Sequence, residues 1–228
     1  MPPPGDGEAL AACQRFGRTF SARKVSAGAN RKRVGKQLQQ FLEKLGLFAV
    51  TTQMGKGVLS DAHSQSLFCL GIHKKDYVHA AIQAADLIIT VGYSIVEYPP
   101  SIWNEERDKK ILHLDFRLAE PDRFYSPDVE VIGDISHALW AIHSRMEGKD
   151  CFDVEIMAHV RREISKKLHE ELPEPTHPAK PQNIVADVRS VMGERDIICL
   201  DNGIYKLWFA RGYTAYLPNT VLLDNALA

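Results

Sequence analysis

The sequence lacks the features of a membrane protein, a nucleic-acid-binding protein or a disulfide-rich protein. Its 228 residues carry a net charge of −1, so no excess of positive charge would attract nucleic acid or an anionic membrane. Its apolar runs, such as residues 87–91, are far too short to span a bilayer. Its four cysteines are widely separated and form no C-x-x-C pair. This spacing favours reduced thiols in a cytoplasmic protein, and we expect neither a nucleic-acid partner nor a membrane partner.

Common catalytic and metal-binding motifs are missing as well. The nine histidines include no H-E-x-x-H pair, and no G-x-S-x-G nucleophile elbow occurs. His73 and His79 have no cysteine or carboxylate at the spacing of metal ligands. We therefore predict no metal site from the residues of this chain.

The stretch TTQMGKGVLSD (51–61) places a glycine-flanked lysine just after an apolar run, where a loop could hold a phosphate. A P-loop requires G-x-x-x-x-G-K-[ST], but Val50 stands at the first glycine and Gly57 replaces the serine or threonine. The dinucleotide motif G-x-G-x-x-G fails too, because Ser60 stands at its last glycine. Two interpretations stay open for Lys56 and its glycines: a strand-end turn that needs small residues, or a ligand contact.

From about residue 25 short aliphatic runs alternate with helical patterns. The pattern predicts strands at 48–52, 86–92, 110–115 and 129–132, and helices at 32–45, 77–85 and 135–146. Alternating strands and helices form a parallel sheet with helices on both faces, so we predict an α/β fold. Ligands of such folds bind at the carboxyl ends of the strands. Asp115 and Asp134 each end a strand, where a carboxylate can contact a ligand or cap a helix, and both interpretations stay open.

A different pattern follows residue 147. Residues 152–172 carry an apolar residue at every fourth position, which predicts a long helix packed on the surface of its neighbour. Four prolines fall within residues 173–181 and indicate an extended linker. The alternation then restarts, with helices predicted at 184–192 and 205–211 and strands at 197–200 and 221–223. We expect a second α/β domain that is incomplete in this chain.

Seven stretches stand out together: SAGANRKRV (26–34), VTTQMGKGVLSD (50–61), LGIH (70–73), AADLIITVGYSIVEYPPSIWN (84–104), KKILHLDF (109–116), VEVIGDISHALW (129–140) and DNGIYKLWFAR (201–211). In this order and spacing they resemble the large catalytic subunit of acetolactate synthase, a family of thiamine diphosphate-dependent enzymes. The resemblance covers roughly residues 25–228. Residues 1–24 show no resemblance, and we expect them to be poorly ordered.

The resemblance implies three domains in a complete enzyme, of which this chain holds the second and the start of the third. Residues 25–147 would form a Rossmann-like central domain, and residues 148–180 a helix and linker. Residues 181–228 would begin the domain that binds thiamine diphosphate through Mg²⁺. The implied reaction is decarboxylation of pyruvate and condensation with a second 2-oxo acid, in branched-chain amino acid synthesis or acetoin formation. A homo-oligomer and a regulatory subunit are the implied partners.

The resemblance also implies which cofactor contacts this chain supplies. The family's catalytic glutamate and its Mg²⁺ ligands have no counterpart here, so we expect no catalytic residue in this chain and no pyruvate turnover by it alone. The implied thiamine diphosphate contacts are Asn202, Gly203, Ile204 and Tyr205. Many members have Gln-His or Ser-His where this chain has Ile204-Tyr205, which leaves mainly backbone N–H groups for the diphosphate.

A nucleotide groove is implied in the central domain, where biosynthetic members hold FAD and related enzymes hold ADP. The matching positions are Gly28, Ala29, Thr52, Gln53, Leu70, Gly71, His73, Gly92, Asp115, Phe116, Asp134 and Ile135. FAD-binding members carry arginines after the position of Gly92, but this chain has YSIVEYPP (93–100), with Glu97 and no base. A carboxylate repels a diphosphate, so this departure favours a flavin-free, catabolic type, with FAD as the less favoured alternative.

Three functions stay open from the sequence. The first is an acetolactate synthase-type enzyme. The second is another thiamine diphosphate-dependent 2-oxo acid decarboxylase or carboligase, such as a glyoxylate carboligase or an oxalyl-CoA decarboxylase. The third is a non-catalytic nucleotide-binding module. The residues that select pyruvate in the family fall mostly outside this chain, so the sequence does not separate the first two.

Overall fold

The computed structural model describes residues 23–25, 32–71, 76–146, 154–170 and 172–223. Three of the predicted groove residues, Gly28, Ala29 and His73, lie outside these ranges. Most of the segment that we expect to be poorly ordered also lies outside them. The first strand begins at Arg23, within the last two residues of that segment.

Six parallel strands form the centre of the structure. β1 (Arg23–Val25), β2 (Ala49–Thr51) and β3 (Ser66–Cys69) pair in one group, and β4 (Leu87–Val91), β5 (Lys110–Asp115) and β6 (Val129–Ile132) pair in a second. β1 lies beside β4, so the strands follow the order β3-β2-β1-β4-β5-β6. The predicted parallel α/β class is confirmed. The strand order reverses between β1 and β4, and in such folds ligands bind at this point.

Helices cover both faces of the sheet. They are α1 (Lys32–Leu45), α2 (Tyr77–Gln83), α3 (Pro100–Trp103), α4 (Ile135–Arg145) and α5 (Val154–Ser165), which continues as a π-helical segment over Lys166–Glu170. Aspartates begin two of them: Asp76 accepts a hydrogen bond from Val78 N at the start of α2, and Asp134 accepts one from His137 N at the start of α4. These side chains satisfy N–H groups that the first helical turn leaves unpaired.

The two faces follow from the alternation of side chains along each strand. In β4, Leu87, Ile89 and Val91 pack against α1 and α4, whereas Ile88 packs on the opposite face. In β5, Leu112 packs on the face of α1 and α4, and Ile111 packs on the opposite face. Each fully buried aliphatic or aromatic side chain contributes roughly 1.5–3 kcal/mol by leaving water. Because both faces are covered, these strands contain nearly continuous apolar runs, which is why the sequence reveals them.

Some elements differ from the sequence-based predictions. β3 was not predicted, because all four of its residues are buried and a register shift against β2 breaks their alternation. α3 has only four residues, too few to show a helical period. The prediction of a buried apolar residue at every fourth position was partly wrong for α5. Ile164 is buried as expected, but Ile156 is exposed, and Met157, which lies outside that pattern, is buried. Residues seven apart lie on the same helix face, whereas a strict spacing of four drifts away from it.

The C-terminal segment, residues 181–223, forms a smaller unit. It contains α6 (Pro181–Val191), β7 (Ile198–Leu200), α7 (Ile204–Gly212) and β8 (Val221–Leu223), and its two strands are parallel. Residues 172–180 before it contain neither helix nor strand. No helix in the part of the chain that the structure describes is long and apolar enough to cross a membrane.

We predict that amide protection differs between the two sheets. Amides of β4 and β5 lie in the larger, doubly covered sheet, whereas the residues of β7 are half-buried or exposed and have one neighbouring strand. Amides of β7 and β8 should exchange at least about ten times faster, a difference of about 1.4 kcal/mol. Hydrogen exchange followed by mass spectrometry tests this, and equal protection in a confirmed monomer would contradict it.

Candidate functional site

A cleft opens where β4 and β5 end, beside the reversal of strand order. Its volume is about 630 Å³, and its lining includes Gly92, Asp115 and Phe116. These three predicted groove residues therefore lie together. Gly92 has a φ of +60°, a conformation that favours glycine, and its N–H donates to Leu114 O at 2.9 Å. The chain can thus leave the sheet sharply at this edge and keep the cleft open.

The residues after β5 give the cleft a stacking surface and a carboxylate. Phe116 is 50% exposed, although large aromatic side chains are usually buried. Asp115 accepts a hydrogen bond from Arg117 N at 3.2 Å, which fixes the turn that carries both side chains. The aromatic ring can stack on a heterocyclic base, and the carboxylate beside it can accept hydrogen bonds from a ribose.

A buried chain of hydrogen bonds forms the floor of the cleft. Thr90, His113 and Tyr125 occupy the face of the sheet that is otherwise apolar, and the hydroxyl of Tyr125 lies 2.8 Å from both Thr90 Oγ1 and His113 Nδ1. His113 Nε2 lies 3.1 Å from Arg117 O. A carbonyl can only accept, so Nε2 carries the proton and Nδ1 accepts from Tyr125. Burial raises the pKa of Tyr125, which keeps its phenol protonated as this donor.

A second cavity, of about 640 Å³, lies between the central sheet and the C-terminal segment. Its lining includes Gln53 from the turn after β2 and Asn202, Gly203 and Ile204 from the start of α7. One predicted groove residue therefore faces three of the four predicted thiamine diphosphate contacts. The fourth, Tyr205, places its ring against Gly203, where an added Cβ would lie 2.5 Å from the ring. A side chain at this position would displace the Tyr205 ring, which is 37% exposed.

Glu97 lies where the cleft and the second cavity meet. It lines both, together with Met54, and its Oε1 accepts a hydrogen bond from Met54 N at 2.6 Å. The cleft also contains the carboxylates of Asp115 and Glu120 against one guanidinium, that of Arg117. The junction is therefore acidic, and a carboxylate fixed at this point opposes a bound diphosphate.

Other predicted groove residues do not line either cavity. Asp134 caps α4, and Ile135 lies in the core between α4 and the sheet. Leu70 is buried in the core on the opposite face, and the N–H of Gly71 donates to the carboxylate of Asp76. Thr52 is buried just before the turn of Gln53. All of these residues make contacts within the fold, and none of them lines the two cavities. A direct ligand role for them stays a prediction.

Lys56 is not a phosphate ligand in this structure. Its side chain is 1% exposed, and Nζ lies 2.8 Å from Asp61 Oδ2, which is equally buried. The neighbouring Gly57 has a φ of +86°, and a Cβ there would lie 2.5 Å from Leu217 O. The glycines thus permit a turn and a close backbone approach. For Lys56 and its glycines the geometry favours the strand-end turn, because Asp61 takes the charge of the lysine, whereas a ligand contact of Gln53 in the same stretch stays a prediction.

The start of α7 fits the diphosphate of thiamine diphosphate through backbone groups. The first N–H groups of this nine-residue helix have no partner within the helix, and anions bind well at such positions. Lys206 lines the same cavity and supplies positive charge. Mg²⁺ does not fit in the same way, since no three His, Cys, Asp or Glu side chains come together as a metal site within the described ranges.

Comparison with known proteins agrees with these features. Residues 25–142 match the family model of the thiamine pyrophosphate enzyme central domain. The acetolactate synthase of Bacillus subtilis is 28% identical over 200 residues, which cover 84% of this chain and 34% of that protein. The catabolic acetolactate synthase of Raoultella terrigena is 29% identical over 150 residues, covering 63% and 26%. The large subunit of acetolactate synthase isozyme 1 of Escherichia coli is 25% identical over 195 residues, covering 84% and 34%. The chain thus spans about a third or less of the length of these curated relatives.

Sequence reasoning missed the residues of the cleft floor. Thr90, His113 and Tyr125 come from two strands and a loop, and up to 35 positions separate them. A polar residue inside an apolar strand is the signal that could have found Thr90 and His113, because a buried polar group needs a partner. Nothing in the sequence identifies Tyr125 as that partner.

We predict that Tyr125→Phe weakens the floor of the cleft. The change removes the hydroxyl that donates to His113 Nδ1 and accepts from Thr90. His113 Nδ1 and Thr90 Oγ1 then stay buried without this partner. The free energy of unfolding, measured by urea denaturation, should fall by about 1–3 kcal/mol. Tyr216→Phe is the control, since Tyr216 contributes its ring to a contact with Arg189, and it should change stability by less than about 0.5 kcal/mol. Equal losses in both variants would contradict the assigned network.

Proposed function

Because the chain belongs to the thiamine pyrophosphate enzyme family, we propose that it supplies the central domain and the start of the cofactor-binding domain of an acetolactate synthase-type enzyme. The proposed reaction decarboxylates pyruvate and condenses it with a second 2-oxo acid. The observation that carries the proposal is the second cavity, in which the loop of Asn202, Gly203 and Ile204 faces the central sheet. The names of the three relatives support the choice of reaction.

Each part of the chain has a distinct task in this proposal. Thiamine diphosphate, when bound, supplies the thiazolium carbon that adds to the carbonyl of a 2-oxo acid. The N–H groups of Ile204 and Tyr205 bind its diphosphate oxygens, and Lys206 balances their charge. Gly203 lets the loop approach closely. Mg²⁺, the acid–base residues and the substrate contacts come from residues outside those described.

The central cleft holds a nucleoside-type ligand in the same proposal. Asp115 accepts hydrogen bonds from ribose hydroxyls, and the ring of Phe116 stacks on the base. Glu97 stands between this cleft and the second cavity, so a ligand with a diphosphate is disfavoured there. The protein is therefore of the flavin-free, catabolic type. We place it in the cytoplasm as a homo-oligomer, with a regulatory subunit as a further partner, since the Escherichia coli relative is named as a large subunit.

The reaction is tested with the protein expressed from its whole gene. With thiamine diphosphate and Mg²⁺, we expect it to convert pyruvate to acetolactate, measured as acetoin after acid decarboxylation. Omitting thiamine diphosphate is the control and should abolish the product. If pyruvate is untouched while glyoxylate or oxalyl-CoA is consumed, the proposed substrate is wrong. If none of the three is consumed, the enzyme function itself is wrong.

The charge of Glu97 is tested by Glu97→Gln. Glutamine keeps the acceptor for Met54 N and removes only the negative charge, so the shape of the junction is preserved. The affinity for ADP, measured by calorimetry, should rise about tenfold, or about 1.4 kcal/mol. The affinity for adenosine, which carries no phosphate, should not change. Equal gains for both ligands, or stoichiometric FAD in the purified unaltered protein, would overturn this role of Glu97.

A further inference from the structure

We infer that the C-terminal segment is held on the central sheet by two aspartate anchors, Asp61 and Asp76, and that this docking both completes its core and forms the second cavity. The inference concerns the fold of this chain and does not depend on the reaction. The contacts join residues that lie far apart in the sequence. They consist of one apolar cluster and two polar anchors.

The apolar part is the core of the C-terminal segment itself. Its cluster of buried residues, which includes Phe209, Tyr213 and Val221, also contains Cys69 of β3. Phe68, just before it, has a φ of +62° at the register shift between β2 and β3. A bulge of this kind re-aims the following side chain. Leu67 and Leu70 pack within the central core, whereas the thiol of Cys69 packs within the core of the other segment.

The first anchor is Asp61, whose carboxylate is paired with Lys56. Its Oδ2 also accepts a hydrogen bond from Ala215 N at 2.8 Å, and its own N–H donates to Ala215 O at 2.9 Å. The carboxylate is therefore shared between a lysine of the central sheet and a backbone N–H of the C-terminal segment. The pair with Lys56 at 2.8 Å and the hydrogen bond from Ala215 N share one oxygen, and a hydrogen bond to an ion-paired carboxylate is stronger than one between neutral groups.

The second anchor is Asp76, which begins α2. Arg211 of α7 binds it through both terminal nitrogens of the guanidinium, Nη2 at 2.5 Å and Nη1 at 2.7 Å, and Nη1 also donates to Cys69 O at 2.6 Å. Asp76 is 3% exposed and Arg211 19% exposed. A paired charge that is largely removed from water loses much more on separation than a surface pair does. This anchor therefore opposes undocking directly.

Docking determines where the loop at the start of α7 lies. Asn202 and Gly203 come just before α7, Ile204 is its first residue, and Arg211 lies near its end. The anchor at the end of this nine-residue helix therefore positions the loop at its start. Undocking would open the second cavity and expose Cys69. In the docked state this thiol is fully buried, and burial raises its pKa to about 12, so it stays protonated and unreactive.

Thiol labelling of the full chain with iodoacetamide tests the inference, with each cysteine followed by peptide mass spectrometry. Cys199 is exposed and serves as the internal reference. In Arg211→Met the labelling rate of Cys69 relative to Cys199 should rise by about ten- to a hundredfold, because the undocked state becomes more populated. Arg195→Met, which alters an exposed arginine of the same segment, should leave the ratio unchanged.

Amide exchange of β5 in the same samples separates undocking from global unfolding. Its protection should stay the same in Arg211→Met while Cys69 becomes reactive. If Cys69 reacts only in step with the loss of β5 protection, or if Arg211→Met leaves its labelling unchanged, the inference is wrong.

A second pair of variants tests the first anchor. Asp61→Asn keeps an oxygen for Ala215 N but leaves Lys56 buried without its counter-charge, so Cys69 labelling should again rise at least about tenfold. Adding Lys56→Met removes that charge, and the double variant should return most of the way to the original rate. Faster labelling in the double variant than in Asp61→Asn would contradict an anchor built on this pair.

Discussion

The rest of the structure depends on the requirement that a parallel sheet be covered on both faces. Helices on both faces bury the aliphatic side chains of β4 and β5, and each helix returns the chain to the same end of the sheet. The carboxyl ends of β2, β4 and β5 therefore meet at one edge. Asp115 reaches this edge as the last residue of β5, and Gly92 and Gln53 reach it because they follow β4 and β2, so both cavities begin at the edge that the topology creates.

Electrostatics then decides which ligands this edge accepts. Two cavities meet at Glu97, which lines both, but they differ in their other charges: the cleft adds the carboxylates of Asp115 and Glu120, whereas the cavity beyond it adds the start of α7 and Lys206. In the proposed function this difference favours a phosphate-bearing group at the second position over the first. The parallel fold alone would suit a nucleotide at either place. We propose that these charges, and not the fold, separate a cavity for an uncharged ligand from one for an anion.

The sequence predicts the central sheet well because its signals are local. β5, β6 and α1 have the predicted bounds, since burial of whole strands and a single helical face each produce a periodic pattern. β3 was missed because its bulge destroys the alternation. Of the predicted groove residues, Gly92, Asp115 and Phe116 line one cleft, whereas Asp134 follows the edge strand β6 and caps α4, one of the two roles left open for it. Contacts such as that of Tyr125 with His113 join distant residues, and no local pattern reports them.

The stretch around Lys56 shows why a motif needs its distant contacts before it can be interpreted. A strand followed by Gly-Lys-Gly has the residues of a phosphate loop, but the same residues also suit a turn with a buried cation. What distinguishes the two is Asp61, five positions later, together with Ala215, which is 154 positions from that aspartate. The carboxylate neutralises the lysine, and a backbone N–H of the C-terminal segment donates to the same carboxylate oxygen. A lysine so enclosed cannot attract an anion, and its charge instead contributes to holding two parts of the chain together.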